Sequence, residues 1–389
     1  MAVIAGYRRT PFGRLLGGLS SLPATALGAE AVRAALTEAQ VSPDEVDAVI
    51  AGHVLQAGAG QNPARQTAVA AGIPLTTPAL TVNSVCLSGT EAIAQGVRLI
   101  RSGEATIVVC VGQESMSLAP HLVKGSRTGT KYGAMEVIDS MEFDGLTDAF
   151  GACSMGLATD QGNSERTIGR AEQDDWAALS HQRAAASSEF FAGEITPIHT
   201  TQRRKEVVVE HDEGIRPDTT TESLSALKPA FQPDGSITAG NASQISDGAA
   251  AIVLMSDDEY ARRAGPGIAR VLSHAMVAGP DTSLHSQPSQ AIEQALARAE
   301  RSIDDLRAIE INEAFASVVL QSIRDLDLDP EVVNPHGGAI ALGHPIGTSG
   351  TRIVGTLARQ LQALDSGAIG AAGICGGGGQ GAGMVIQAL

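Results

Sequence analysis

The sequence contains one pattern twice: ALTEAQVSPDEVDAVI at residues 35–50 and ALARAERSIDDLRAIE at residues 295–310. Each stretch reads as the end of an amphipathic helix, then a Ser-x-Asp turn of the kind that starts a helix, and then an apolar strand. The aligned identical positions are Ala35/Ala295, Leu36/Leu296, Ala39/Ala299, Ser42/Ser302, Asp44/Asp304 and Ala48/Ala308. The match indicates that one structural unit occurs twice in the chain.

Two further matches follow in the same order along the chain. LTVNSVCLSGTEAIAQGVRLI (80–100) resembles VVNPHGGAIALGHPIGTSGTRIVGTLARQL (332–361), and ATIVVCVGQESM (105–116) resembles AIGAAGICGGGGQ (368–380). Because strands alternate with helices in both copies, the pattern predicts an α/β fold with parallel strands and right-handed crossovers. The strands are nearly continuous apolar runs, which indicates a sheet that is covered on both faces.

Residues 118–246 have no counterpart in the second copy, so we interpret them as an insertion. The predicted organisation is an N-terminal half at 1–117 that is completed by 247–265, an inserted loop domain at 118–246, and a C-terminal half at 266–389. Chemistry in such sheets is found on the loops beyond the carboxyl ends of the strands. The loops that follow the predicted strands are therefore the candidates for a functional site.

The composition excludes several classes of protein. Of the 389 residues, 43% are hydrophobic and 18% are charged, which is typical of a globular chain with large cores. A net charge of −16 and an aromatic content of 3% argue against nucleic acid or an anionic membrane as partner. No stretch approaches the ~20 apolar residues of a membrane span, and the first residues do not read as a signal peptide.

The cysteines are widely spaced and form no CxxC pair, so neither a zinc site nor a redox motif is indicated. Free thiols in a chain that starts without a leader favour a reducing compartment, and we expect a cytoplasmic protein. Cys110 lies inside an apolar strand and is expected in the core. Cys153 is given no role, since a small filling residue would serve there equally well.

The first candidate loop is NSVCLSG, at residues 83–89. Cys86 follows a predicted strand and precedes a predicted helix. A thiol at the N-terminus of a helix feels the positive end of the helix dipole, so we expect its pKa to fall. A buried, inert cysteine is the common alternative, and position alone leaves the two readings at even odds.

The second candidate loop is GGAIALGHPIGTSG, at residues 337–350. His344 lies between Gly343 and Pro345, where the neighbouring glycines leave room for a substrate. A histidine that is fixed in such a loop can act as the base for a thiol.

Two more loops carry polar or glycine-rich sequence. In INEAFA (311–316), Asn312 could hold a water or an oxyanion, although a helix cap is the simpler explanation. In ICGGGGQGAG (374–383), Cys375 ends a strand and precedes four glycines whose N–H groups could bind an oxyanion. The glycines also fit GxGxxG, but only a strand-like end follows, so a nicotinamide site is rejected.

Taken together, these motifs are specific. NSVCLSG, GQESMS, GNASQISDGAA, NEAFA, GGAIALGHPIGTSG and CGGGGQG occur in this order over the whole chain, and in them the sequence resembles the thiolase family, in particular its acetyl-CoA acetyltransferases. The resemblance implies two βαβαβαββ halves in a five-layered α-β-α-β-α core. It also implies acyl-CoA substrates, no metal or cofactor, a homotetramer that is a dimer of dimers, and an insertion that covers coenzyme A.

The resemblance further implies roles for individual residues. Cys86 matches the acyl-accepting nucleophile, His344 the base that activates it, and Cys375 the acid/base at the substrate α-carbon. Asn312 matches the residue that positions a water, and the N–H groups of Cys86 and Gly377 match one oxyanion hole. The positions that match substrate or coenzyme A contacts are Arg216, Ser223, Ser243, Met155, Leu146, Ala314 and Phe315.

The expected reaction is the reversible condensation of two acetyl-CoA to acetoacetyl-CoA through an acetyl-cysteine. The alternatives are a 3-ketoacyl-CoA thiolase of broader chain length and a non-catalytic, thiolase-like lipid-binding protein. The second alternative need not keep both cysteines and His344. Three positions depart from the short-chain pattern and leave the acyl length open: Ser154, Leu284 and His336.

Overall fold

The fold is described by a computed structural model that covers residues 1–202, 204–265 and 267–389. Arg203 and Pro266, the residue at which the predicted C-terminal half begins, lie outside the described residues. The strands are β1 (Ala2–Arg9), β2 (Gly13–Arg14), β3 (Ala48–Gly52), β4 (Ala79–Val82), β5 (Ile107–Ser115), β6 (His121–Leu122), β7 (Ile138–Asp139), β8 (Thr147–Asp148), β9 (Cys153–Ser154), β10 (Ile198–Gln202), β11 (Lys205–Val209), β12 (Ser246–Ser256), β13 (Ala269–Ala278), β14 (Leu306–Ile311), β15 (Ile369–Gly376) and β16 (Gln380–Ala388).

Helices connect most of these strands. They are α1 (Ala24–Ala39), α2 (Pro63–Ala70), α3 (Ser88–Ser102), α4 (Met155–Glu165), α5 (Arg170–Ala186), α6 (Ser188–Ala192), α7 (Thr221–Ser225), α8 (Asp257–Arg263), α9 (Gln287–Ala299), α10 (Ala316–Leu326), α11 (Ala339–Leu342) and α12 (Ser349–Gln362). Within the described residues, no helix is both long and apolar enough to cross a membrane.

The sheet shows the repeat directly. The first half has the strand order β4-β3-β5-β12-β1, and the second half continues as β13-β16-β15-β14. Val333 bridges to Ile309 in parallel and takes the place that β4 has in the first half. The halves meet where β1 and β13 pair over three residues. The predicted duplication of one α/β unit is therefore confirmed.

The expectation of parallel strands holds for only part of each half. β3, β4 and β5 are parallel to one another, as are β14 and β15, whereas β1, β12, β13 and β16 pair antiparallel with their neighbours. Between β15 and β16 the connection is a short glycine turn at residues 377–379. A connection of that length joins only antiparallel strands.

Alternate residues of each strand point to opposite faces, and they define five layers. In the first half, the outward faces of β3, β5 and β12 pack on α1 and α2. The inward faces of both halves pack on α3 and α12, which lie together in the centre. In the second half, β14, β15 and β16 pack outward on α9 and α10. The predicted α-β-α-β-α layering is confirmed.

The repeat extends to the caps of the duplicated stretches. Helix α1 ends at Gln40 and α9 ends at Glu300, both in the left-handed conformation, with φ values of 54° and 55°. The following turns are capped alike: Ser42 N–H donates to the Glu45 carboxylate at 2.9 Å, and Ser302 N–H donates to that of Asp305 at 2.8 Å. These matching caps explain why the two stretches keep similar sequences.

The start of α3 meets the start of α12 at the centre of the molecule. Both helices begin with the tripeptide Ser-Gly-Thr, at residues 88–90 and 349–351. A Cβ atom added at Gly89 or Gly350 would run into the backbone of the other helix. The glycines therefore allow the loops that precede both helices, one carrying Cys86 and the other His344, to lie side by side.

Candidate active site

Cys86 lies in a tight turn between β4 and α3. Val85 has φ of +51°, which is uncommon for a β-branched residue. Its N–H donates to Asn83 Oδ1 at 2.9 Å, and Ser88 Oγ donates to its carbonyl at 2.6 Å. The turn places Cys86 between the two halves of the sheet, where only 4% of the residue is exposed.

The surroundings of the Cys86 thiol differ from the expectation. Burial raises its pKa to about 12, while the N–H groups of Cys86 and Gly377 lower it and the charge of Glu114 raises it further. The predicted fall in pKa was wrong, because the start of α3 is buried in the central layer and desolvation outweighs the helix dipole. The thiol is protonated at neutral pH, so attack by its sulfur requires a base.

Cys375 is the last residue but one of β15 and is also buried, with 1% of the residue exposed. Burial raises the pKa of its thiol, and the charge of Cys86 raises it further, so the two sulfurs lie within electrostatic range of each other. Cys375 packs with Leu284 and Ala314, and Met155 and Phe315 lie against this cluster. The structure thus brings together two cysteines that are far apart in the sequence.

His344 is oriented by the first turn of α12. Its main-chain N–H donates to the Gln244 carbonyl at 2.9 Å, and its ring atom Nδ1 lies 2.6 Å from Ser349 Oγ. Its Nε2 is buried and has no hydrogen-bond partner among the described residues. Burial, with the nearby charge of Arg352, lowers its pKa to about 3. The ring is therefore neutral, and with Nδ1–H donated to Ser349, Nε2 can accept a proton.

Asn312 follows β14 directly, and its N–H donates to the Gly373 carbonyl at 2.9 Å. Its side chain is fully buried, yet neither Oδ1 nor Nδ2 has a partner among the described residues. The helix-cap explanation was wrong, since α10 begins only at Ala316. Buried amides are rarely left unpaired, so this side chain is suited to hold a water or a substrate oxygen.

The carboxylate of the next residue, Glu313, is held by internal hydrogen bonds. Its carboxylate accepts hydrogen bonds from the side chains of Trp176, Ser180 and Asn334 and from the N–H of Ile340, at 2.7 to 3.0 Å. These contacts tie α5 to the loops of the second half. Of the polar pair Asn312–Glu313, only Asn312 is free to act on a ligand.

A cavity of about 570 Å³ opens beside His344. Four of the positions matched to substrate or coenzyme A contacts line it: Leu146, Met155, Ser243 and Phe315. Ala314 lies beneath them and accepts the N–H of Ser243 at 3.0 Å. Arg216 and Ser223 are exposed, and neither is among the residues that line the cavity.

The three positions that depart from the short-chain pattern have different surroundings. Ser154 lines the cavity and caps α4 by accepting the Leu157 N–H at 3.2 Å. Leu284 packs against Cys375. His336 stacks on Phe190, with ring centroids 3.7 Å apart, and its Nδ1 bonds to Ser187 Oγ.

Some contributors were missed from the sequence. Ser349 orients His344, and the repeated Ser-Gly-Thr tripeptide could have identified it. The cavity is also lined by Arg14, Glu142 and Phe231, which lie outside the motifs, and by Gln244 and Ile346, which lie inside motifs but were given no role. Cys110 lies in the core as predicted, and Cys153 is half-buried in β9.

A buried thiol, a second thiol and a neutral imidazole beside an apolar cavity are the equipment of an acyl-transferring enzyme. The comparisons with known proteins agree. The family model described as "Thiolase, N-terminal domain" matches residues 2–258, and the one described as "Thiolase, C-terminal domain" matches residues 266–388. The chain therefore belongs to the thiolase family.

Similar proteins match the chain from end to end. A probable acetyl-CoA acetyltransferase of Mycobacterium tuberculosis is 51% identical, over 100% of this chain and 99% of that protein. An acetyl-CoA acetyltransferase of Pseudomonas aeruginosa is 44% identical, over 99% and 98%. The crystal structure of human mitochondrial 3-ketoacyl-CoA thiolase has a TM-score of 0.95 and 38% identity, over 100% of this chain and 99% of that one.

Proposed function

We propose that the protein is an acetyl-CoA acetyltransferase that condenses two acetyl-CoA to acetoacetyl-CoA and CoA, and catalyses the reverse thiolysis, by a ping-pong mechanism. The observation that carries the proposal is the buried centre in which Cys86 lies within electrostatic range of Cys375 and faces the Gly377 N–H. His344 supplies an unpaired Nε2 from the adjoining turn.

In the first half-reaction, His344 Nε2 takes the proton of Cys86, and the sulfur attacks the thioester carbonyl. The N–H groups of Cys86 and Gly377 stabilise the oxyanion, and each such donor contributes roughly 10²–10³ in rate. Cys375 gives its proton to the departing CoA sulfur. This leaves acetyl-Cys86, protonated His344 and a Cys375 thiolate.

In the second half-reaction, the Cys375 thiolate removes a proton from the methyl group of a second acetyl-CoA. A water held by Asn312, together with His344, stabilises the enolate oxygen. The enolate carbon attacks acetyl-Cys86, and the C–S bond breaks to release acetoacetyl-CoA. Cys86 then recovers its proton from His344, so all three groups return to their starting states.

The substrate contacts follow from the cavity. Leu146, Met155 and Phe315 pack against the acyl and pantetheine parts, Ser243 offers its hydroxyl, and Ala314 supports this wall by accepting the Ser243 N–H. Arg216 and Ser223, which are exposed, contact the nucleotide end of coenzyme A outside the cavity. The insertion at 118–246 covers the coenzyme between the half formed by 1–117 with 247–265 and the half at 266–389. The enzyme acts as a cytoplasmic homotetramer.

A broader-chain 3-ketoacyl-CoA thiolase is the second candidate, and the apolar cavity of about 570 Å³ favours it. Thiolysis rates with C4 and with C8–C16 3-ketoacyl-CoA separate the two. We expect the highest kcat/KM with the C4 substrate. Faster turnover of the long chains would contradict the proposal, and no turnover of either would favour the lipid-binding alternative.

A further inference from the structure

Glu114 lies at the carboxyl end of β5 and is completely buried. Its carboxylate accepts three backbone hydrogen bonds, from Val54 N–H at 3.1 Å, Leu55 N–H at 3.2 Å and Gly347 N–H at 3.0 Å. The first two donors follow β3 in the first half, whereas Gly347 belongs to the loop that carries His344. One side chain therefore joins loops from both halves.

Gly347 is closely coupled to His344. The residues between them form a tight turn, in which the Pro345 carbonyl accepts the N–H of Thr348 at 2.8 Å and that of Ser349 at 3.1 Å. Ser349 also holds the imidazole. A Cβ atom on Gly347 would lie 2.8 Å from both the Gln113 carbonyl and Glu114 Oε2. A shift of Gly347 would therefore move the ring of His344.

The internal repeat makes the turn that contains Gly347 the counterpart of the turn that contains Cys86. Gly347 stands two residues before Ser349, as Cys86 stands two residues before Ser88, so its N–H corresponds to the Cys86 N–H. Around Cys86, the N–H groups of Cys86 and Gly377 interact with the thiol, and the proposed mechanism assigns them to the substrate oxyanion. At the corresponding turn, the Gly347 N–H donates to the Glu114 carboxylate instead.

We propose that Glu114 is a positioning residue for His344: its carboxylate holds the Gly347 N–H together with the 54–55 backbone and so fixes the turn from which His344 reaches Cys86. The inference rests on the proposed function, because His344 is the base in that mechanism. It adds a buried group that touches neither substrate nor the reacting atoms.

The charges around Glu114 make the proposal distinguishable from a purely electrostatic effect. Burial raises its pKa to about 7, the three N–H groups lower it, and Asp247 on β12 raises it. His53 Nε2 lies 3.4 Å from Oε1. The Glu114 charge raises the pKa of Cys86, so loss of that charge alone would make Cys86 react faster. Loss of His344 positioning would make it react more slowly.

The test compares Glu114→Gln with Asp247→Asn in the full-length enzyme. Asp247 is a matched control, because it is also fully buried and its carboxylate accepts two hydrogen bonds that come from Ser117 and not from the loop that carries His344. For Glu114→Gln we expect kcat of acetoacetyl-CoA thiolysis to fall roughly 10- to 100-fold, with KM nearly unchanged. We also expect slower iodoacetamide alkylation of Cys86, whereas Asp247→Asn changes neither rate by more than about threefold.

Faster alkylation, an unchanged kcat, or an equal fall in the control would overturn the proposal. Inactivity of the wild-type enzyme would instead count against the proposed function. Should Glu114→Gln fail to fold, Gly347→Ala disturbs the same contact from the other side. That variant is expected to lower kcat with KM nearly unchanged, and wild-type kinetics would contradict the inference.

Discussion

The turn before α3 and the turn before α12 are counterparts in the two halves, but their chemistry differs. The first carries Cys86, whose thiol interacts with the N–H groups of Cys86 and Gly377, whereas the second carries Gly347, whose N–H donates to the Glu114 carboxylate. The strands β5 and β15 correspond to each other in the two halves. Near their carboxyl ends, Glu114 of β5 has Cys375–Gly376 of β15 as its counterpart. Duplication of a fold therefore lets one half supply fixed internal partners while the equivalent groups of the other half stay available for a reaction.

The loops after β3 and β14 also differ in this way, but here the unpaired polar group lies in the second half. His53 and Glu313 occupy matching positions, and both are buried. Glu313 is saturated with hydrogen bonds, while the neighbouring Asn312 is unpaired. In the first half, Gly52 stands where Asn312 does in the second, so the first half has no side-chain amide at this position.

The largest expected effect comes from replacing His344, the proposed general base, by the residue at the corresponding position of the first turn. Counted back from Ser88 and Ser349, Asn83 corresponds to His344, and His344→Asn gives the second turn the residue of the first. Loss of the Nε2 proton acceptor of His344 should slow turnover by roughly 10⁴-fold, because both half-reactions of the proposed mechanism use this group. Stopped-flow acetylation of Cys86 measures the first step, and an unchanged acetylation rate would show that another group activates the thiol.

A smaller effect is expected from Cys375→Ser, which tests whether the two sulfurs have separate roles. A hydroxyl is a far weaker base than a thiolate, so condensation should fall roughly 10²- to 10³-fold. Labelling of Cys86 by radioactive acetyl-CoA should persist. Equal losses in labelling and condensation would contradict the division of roles.

The smallest effect concerns stability and His53. Burial lowers the pKa of His53 to about 4, so the unfolded chain takes up a proton near pH 6.5 before the folded chain does. The free energy of unfolding should therefore fall as the pH drops from 6.5 to 4. His53→Gln should flatten this dependence by at most about 3 kcal/mol. Urea unfolding at pH 7.0, 5.5 and 4.5 measures it, and parallel curves for both proteins would refute the expectation.

Much of the fold followed from local sequence. The duplicated helix–turn–strand stretches predicted two α/β halves, since their caps and periodicity depend on nearby residues alone. The antiparallel strands were not predicted, because the pairing of β12 with β5 joins residues on either side of a long insertion. The antiparallel pairing of β15 with β16 follows from their short glycine connection, which the alternation of strands and helices does not reflect.

The motifs marked the residues of the candidate site, but they did not indicate the electrostatics around these residues. Cys86, Cys375 and His344 stood out because each follows a strand in a small-residue loop. The pKa of Cys86 was misjudged, since burial between two sheet halves is a long-range property that no local motif reports. Glu114 was missed for the same reason: its three partners come from residues 54, 55 and 347.

The most direct test is mass spectrometry of the wild-type protein after brief exposure to acetyl-CoA, with the modified peptide located and with Cys86→Gly as the control. Cys86→Gly gives the first turn the glycine that its counterpart has at residue 347. We predict one acetyl group on Cys86 in the wild type and none in the variant. Acetylation of Cys375 instead, or an equally modified variant, would contradict the assignment of Cys86 as the nucleophile.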